Sequence, residues 1–490
     1  MRLLLFHHIV LSGYIFSEAT KKFPDNFKFG VATSSYQIEG AWDKDGKSPS
    51  IWDHLTHTRP WHIEDGRNGD IACDSYYKYK EDVRMLKELG VDFYRFSIAW
   101  TRILPSGFIN TINWDGVKYY NNLIDELLKN NIEPMVTLYH WDLPQTLQEL
   151  GGWTNPIMEE YFAEYARLCF KLFGDKVKLW TTINEPRLVC LMGYGINVMA
   201  PAYNNTGIGD YLCGHTLLKA HARAYHIYDD EFRKDQKGKI FIVLEFQWLI
   251  PKTNSTADIN VTETARHFMF GWFANPIYLG NYPKVMIDLV AERSAKQGFP
   301  KSRLPKFTEK EIDYIKGTTD FLGLNTYTSF LTNSEEFYDY KMVGFENDIG
   351  FQISHDPAWE ATAQPQFKIV PWGTRQMLKW IKETYDSPEI FFTENGMADN
   401  GTSLDDQLRI KFYREQLKAV LDSMHKDDVK VSGYTAWSLM DNFEWVSGYN
   451  LKFGLYHVDF TSPNRTRTPK SSVAYMRKLF KTHCPIEECE

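Results

Sequence analysis

Two glutamates stand where a carboxylate can do proton chemistry. Trp180-Thr-Thr-Ile-Asn-Glu-Pro186 reads as a buried strand of bulky and β-branched residues that stops at Glu185, beside a proline. Burial raises a carboxyl pKa and the loop beyond opens to solvent, so Glu185 is placed to hold a proton near neutrality as a general acid. Ile390-Phe-Phe-Thr-Glu-Asn-Gly396 repeats the arrangement much later, with Glu394 at the strand end and Asn395-Gly396 making the turn. One strand-end glutamate is commonly an ion-pair partner or a cap. Two in matching contexts are what retaining glycoside hydrolysis requires, one as acid and one as nucleophile.

Both carboxylates emerge on one face only if their strands run parallel in one sheet. The rest of the chain supplies such a sheet. Strands are predicted at Phe27–Thr33, Val91–Ile98, Pro134–Tyr139, the stretch ending at Glu185, Lys239–Phe246, Asp320–Leu324, Ile390–Thr393 and Ser432–Trp437. Helical periodicity falls between them, at Asp74–Leu89, Tyr119–Asn130, Glu159–Phe173, Leu212–Phe232, Asn275–Val290, Thr374–Glu383 and Gln407–His425. Eight strand–helix units with long loops after several strands predict an α/β fold, a single (β/α)8 barrel. No linker, low-complexity tract or fixed-period repeat divides the 490 residues.

The formal charge of −8 argues against a nucleic-acid or anionic-membrane footprint. The 15% aromatic content suits stacking on sugar rings, although a large core uses such residues too. The first 19 residues, Met1-Arg2 and an apolar run to Phe16 ending in Ser17-Glu18-Ala19, resemble a secretory signal cleaved after Ala19, with residues 20–490 as the mature, secreted domain. Sequons at Asn204, Asn254, Asn260, Asn400 and Asn464 fit that route. The cysteines, Cys73, Cys169, Cys190, Cys213, Cys484 and Cys489, are too few for a disulfide scaffold; Cys484 and Cys489 are close enough to pair, and the connectivity of the rest is open.

Six ordered motifs carry a family resemblance: Phe27-Lys-Phe-Gly-Val-Ala-Thr-Ser-Ser-Tyr-Gln-Ile-Glu-Gly40, Tyr94-Arg-Phe-Ser97, Leu138-Tyr-His-Trp-Asp142, Thr182-Ile-Asn-Glu-Pro186, Phe392-Thr-Glu-Asn-Gly396 and Trp437-Ser-Leu-Met-Asp-Asn-Phe-Glu-Trp445. From Phe23 to Leu479 the chain resembles glycoside hydrolase family 1, the β-glucosidase family, particularly its secreted insect members. The resemblance implies a small-molecule β-glucoside substrate, Glu185 as acid/base and Glu394 as nucleophile of a double displacement with retention. It implies Arg95 and Tyr327 against the nucleophile, and sugar contacts from Gln37, His140, Asn184, Tyr327, Glu444 and Trp445 over a Trp437 platform. Gln37 is expected as a bidentate amide and Glu444 as an acceptor for two adjacent hydroxyls. Outside this context His140 reads more readily as a hydrogen-bonded core histidine than as a sugar ligand; Glu39 and Asp441 read as structural.

Arg187, Glu245, Thr326 and Leu191 depart from the family pattern. With Trp359 they are expected on the aglycone side, which leaves the leaving group open. One alternative is a myrosinase acting on glucosinolates, whose sulfate Arg187 would bind bidentately. A catalytically silent carbohydrate-binding relative is a remoter alternative, since both carboxylates are present. No HExxH or CxxC occurs and Gly193-Tyr-Gly195 is not a dinucleotide loop, so no metal or cofactor is expected. Monomer and homodimer are both compatible with the sequence.

Overall fold

Apolar, β-branched strands with both faces buried fit a parallel sheet wrapped by helices, and the sheet here closes on itself. A computed structural model describes residues 22–334 and 341–485. Its barrel consists of β1 (Lys28–Ala32), β2 (Phe93–Ser97), β3 (Glu133–Tyr139), β4 (Leu179–Asn184), β5 (Lys239–Glu245), β6 (Leu322–Asn325), β7 (Ile390–Asn395) and β8 (Val431–Trp437). Neighbours in the chain are neighbours in the barrel. Closure comes from β1 lying parallel to β8, in register from Lys28 opposite Gly433 to Ala32 opposite Trp437.

The predicted strands all overlap these eight. One helix prediction needs correction: the span Asn275–Val290 is two helices, Trp272–Tyr278 and Lys284–Lys296. Gly280, at φ +111°, reverses the chain between them, and Pro283 caps the second, so the apolar periodicity runs across a real break. A further feature escaped the sequence. Trp248–Pro251, Ser329–Ser334 and Phe351–Ser354 form a separate three-stranded sheet from the long loops after β5 and β6.

The barrel floor is a plug of side chains. Phe93, Met135, Phe241, Val243 and Phe391 meet there, and all are buried. Glycines on intervening strands make the room: a Cβ on Gly30 or Gly433 would come within 2.5 Å and 2.3 Å of the Phe93 and Phe391 rings. Such alternation of large and absent side chains fills the interior and leaves chemistry to the open C-terminal end.

Cys190 and Cys213 form a disulfide, tying the turn after Glu185 to the helix Gly209–Ile227, whereas Cys73 and Cys169 are buried free thiols. The expected signal segment and Cys489, hence the Cys484–Cys489 pairing, lie outside the described residues. Among the described residues no helix is long and apolar enough to cross a membrane.

Candidate active site

Period-two alternation decides which side chains rise above the floor. On β2 the next inward residue after Phe93 is Arg95; on β3 Thr137 follows Met135; on β5 Glu245 follows Phe241 and Val243; on β6 Asn325 follows Gly323. Two strands break step. The pairing of β4 with β5 slips between Thr181 and Asn184, and that of β7 with β6 slips between Phe392 and Glu394. The slips turn Asn184 and Glu394 towards Arg95, where strict alternation would point them at the helices.

Arg95 is fully buried and every donor group on it is used. Nη1 donates to Glu394 Oε1 at 2.5 Å and to the Thr393 carbonyl at 3.1 Å, Nη2 to Asn184 Oδ1 at 2.6 Å, and Nε to Thr137 Oγ1 at 3.2 Å. Tyr327 Oη donates to the other oxygen, Glu394 Oε2, at 2.6 Å. Burial and the neighbouring Glu394 and Glu185 charges hold the Tyr327 phenol far above its usual pKa, so it stays a donor. Glu394 thus has a cation on one oxygen and a hydroxyl on the other.

Glu185 has a different environment. Burial, the facing Glu394 and then Glu245 push its carboxyl well above the usual range, against a smaller opposing effect of Asn325, whose Nδ2 donates to Glu185 Oε1 at 2.8 Å. A buried carboxyl whose surroundings favour its protonated form, facing a second glutamate bound by an arginine and a tyrosine, is the arrangement that an acid paired with a nucleophile would need. The Glu185 backbone sits at φ +50°, an uncommon conformation for a side-chain-bearing residue, held by its N–H to the Val243 carbonyl at 2.9 Å and by Pro186 opening a short helix.

The residues expected to hold the sugar gather around this pair. Asn184 Oδ1 accepts from Arg95 and Asn325, so its Nδ2 faces His140 Nε2 at 3.2 Å. His140 is buried between Trp437 and Trp445, nearly parallel to both at 6.0 Å, and desolvation with the Arg95 charge keeps it neutral. Its Nδ1 has no protein partner. Trp445 packs on Trp141 and Trp52, each at 4.7 Å. Glu444, partly exposed, is pushed up to about 8 by desolvation and by Glu394, with the Trp437 indole opposing. Gln37 differs from expectation: Ser34 Oγ donates to its Oε1 at 2.6 Å, and Nε2 donates to Asn442 Oδ1 and the Phe443 carbonyl, both at 2.9 Å. Its N–H donors are spent internally, leaving one acceptor lone pair instead of a bidentate amide. Glu39 pairs with Arg102 and Asp441 with Lys470, the structural roles expected of them.

On the aglycone side the expectations separate. Arg187 and Glu245, unusual individually, are partners: both are buried, and Nε and Nη2 of Arg187 donate to Glu245 Oε2, the former at 3.1 Å. Arg187 Nη1 rests 3.6 Å from Met269 Sδ. Thr326 does not face the cleft; following inward-facing Asn325 it points outward, its Oγ1 against Met377 of the outer helix Pro371–Thr384. Leu191 is buried in the turn after Glu185. Trp359 lies in the loop before β7 with Trp372 at 6.1 Å and His355 at 6.5 Å.

Asn325 and Gln247 were missed by sequence reasoning. Gln247 Oε1 accepts from the backbone N–H groups of Tyr327 and Thr328, at 2.8 and 2.9 Å, and so seats the tyrosine. Asn325 had a signal: it ends an apolar strand as Asn184 does, but it lacks the neighbouring carboxylate that drew attention there.

A closed parallel barrel with two buried glutamates over its C-terminal end, one of them bound by Arg95, is the framework of a retaining β-glycosidase. The chain belongs to glycosyl hydrolase family 1, whose profile matches residues 19–484. It is 50% identical over 466 residues to Myrosinase 1 of Brevicoryne brassicae, spanning 95% of this chain and 99% of that one. It is 42% identical to the cytosolic beta-glucosidase of Cavia porcellus, spanning 94% and 98%. The solved aphid myrosinase superposes with a TM-score of 0.91 at 49% identity, over 94% of this chain and 99% of that one.

Proposed function

We propose that this β-glycosidase hydrolyses terminal β-D-glucosides with an oxygen-linked aglycone, by double displacement at Glu394. The carboxylate of Glu394 attacks the anomeric carbon as Glu185 passes its proton to the leaving oxygen; Glu185, now ionised, takes a proton from the water that releases the sugar. Arg95 and Tyr327 orient the nucleophile.

The observation that carries this reading is the Arg187–Glu245 pair. The cation that a glucosinolate sulfate would need is occupied by a buried carboxylate, so an anionic aglycone meets Glu245 there as well as Arg187. Glu185 is retained in surroundings that favour its protonated form, which matters for an alkoxide leaving group and little for a thiohydroximate. Thioglucoside hydrolysis is the second reading, favoured by the 50% identity to Myrosinase 1. The deciding measurement is kcat/KM for an aryl β-O-glucoside beside a glucosinolate, with Glu185→Gln in parallel. A dominant O-glucoside rate that collapses in the variant supports the first reading; a dominant glucosinolate rate whose glycosylation step survives in the variant supports the second.

Secretion after removal of residues 1–19 is part of the proposal. The asparagines of all five sequons are solvent-exposed, as attachment of glycans requires.

A further inference from the structure

Glu245 is a further carboxylate over the barrel, beside Glu185, Glu394 and Glu444, and the hydrolytic cycle above has no use for it. It caps the inward face of β5, directly opposite Asn325 on β6, and Asn325 is the residue that donates to Glu185. From β4, the Glu185 N–H is bonded to Val243, two residues before Glu245 on the same face. Glu245 therefore stands between the two strands that hold the acid. Arg187, two residues beyond Glu185, fixes it from the other side through two N–H groups to one oxygen.

We propose that the Arg187–Glu245 ion pair is a positioning device that keeps a proton on Glu185 until the leaving group takes it. A fixed negative charge near a carboxyl favours its protonated form. Arg187 holds the Glu245 carboxylate in place and turned to one side through two N–H groups on one oxygen, and its own positive charge tempers the field that reaches Glu185. The groups acting on Glu185 are Glu394 of β7, Glu245 of β5, Arg95 of β2 and Asn325 of β6, with Tyr327 beyond them. Of the side chains, only Glu394 acts on it more strongly than Glu245. The pair thus belongs to the catalytic pH range as well as to the aglycone wall, and this inference rests on Glu185 being the acid/base.

The test is the pH dependence of kcat/KM for two glucosides, one with an unactivated alkyl leaving group and one with dinitrophenolate, which leaves without a proton. In Glu245→Gln, which keeps an acceptor for Arg187, the alkaline limb for the alkyl glucoside is expected to fall by about one pH unit, a tenfold loss of protonated acid above it. The ratio of dinitrophenyl to alkyl rates rises correspondingly at high pH. Arg187→Met, which strips the counter-charge, is expected to move the limb upward, and Arg187→Lys to restore it. If both limbs stay in place and both substrates lose rate equally, the pair is only scaffolding and the proposal is overturned. Should Glu245→Gln fail to fold, the Arg187→Met and Arg187→Lys profiles decide alone: no upward shift overturns it. Glu185→Gln separates the underlying assignment, since undiminished alkyl-glucoside hydrolysis in that variant removes Glu185 as the acid whatever the pair does.

Discussion

Asn325 Nδ2 donates to Glu185 Oε1 at 2.8 Å, while Asn325 Oδ1 accepts from Thr393, the residue before Glu394, at 2.7 Å. One amide on β6 thereby ties Glu185 on one side of it to the strand of Glu394 on the other. The amide orientation is set by Thr393, so the N–H end must face Glu185. This bond favours the ionised form of Glu185 and aims the carboxyl.

Asn325→Ala should therefore raise the Glu185 pKa further. Glycosylation needs the protonated acid, so activity is present below that pKa and is lost as pH rises through it; the alkaline limb of kcat/KM should move to higher pH. Loss of aim should also cut kcat for unactivated glucosides by about tenfold, the worth of a hydrogen bond to a charged group. A limb that moves to lower pH would contradict the role assigned to Asn325.

Glu185→Gln should lower kcat/KM for an unactivated O-glucoside by about 10²–10⁴-fold, the usual share of general acid catalysis. Added azide should restore turnover of an activated glucoside and yield β-glucosyl azide, detected by NMR, because a small anion can replace water without a base. The variant should also be the more thermostable at alkaline pH. A carboxyl whose folded pKa is raised contributes stability that is full below its unfolded pKa and lost as pH rises through the folded one. Melting curves at pH 4 and pH 9 should accordingly diverge from wild type only at the higher pH.

Arg95→Met should be the most damaging single change in the site. It leaves Glu394 buried beside an apolar side chain and takes a donor from Asn184. Breaking a buried ion pair from one side costs about 3–5 kcal/mol, which denaturant titration would register as a lower midpoint, with hydrolysis lost in the folded fraction.

Phe391→Ala should separate stability from chemistry. The ring fills the floor against Phe93, Phe241 and Phe321, below the polar layer, and removing it should cost about 3–5 kcal/mol. KM measured well below the melting transition should stay near wild type, because Thr393 and Glu394 are held from above by Arg95, Asn325 and Tyr327.

Much of this was legible in the residues. Strand-end glutamates in matching apolar contexts located Glu185 and Glu394, since a buried strand ending in a carboxylate is an unusual pattern that burial and solvent access explain together. The order of the strands in the barrel followed from their order in the chain, because a parallel sheet with helical crossovers pairs consecutive strands by short right-handed connections. The two-helix break at Gly280 to Pro283 was masked, since apolar spacing continued on both sides of it.

What only the tertiary structure decided is partnership. Arg187 and Glu245 each read as an oddity of the aglycone wall, far apart in sequence, and their meaning changed when they proved to be bonded to each other. Thr326 looked equally odd and faces the other way, because a single residue of alternation separates the cleft from the outer helices. Gln37 kept its place but not its freedom, its amide being claimed by Ser34, Asn442 and Phe443. The physical reason is general: a sequence records side-chain chemistry and local period, while hydrogen-bond partners and the register slips that turned Asn184 and Glu394 inward arise from strands that meet only in the closed barrel.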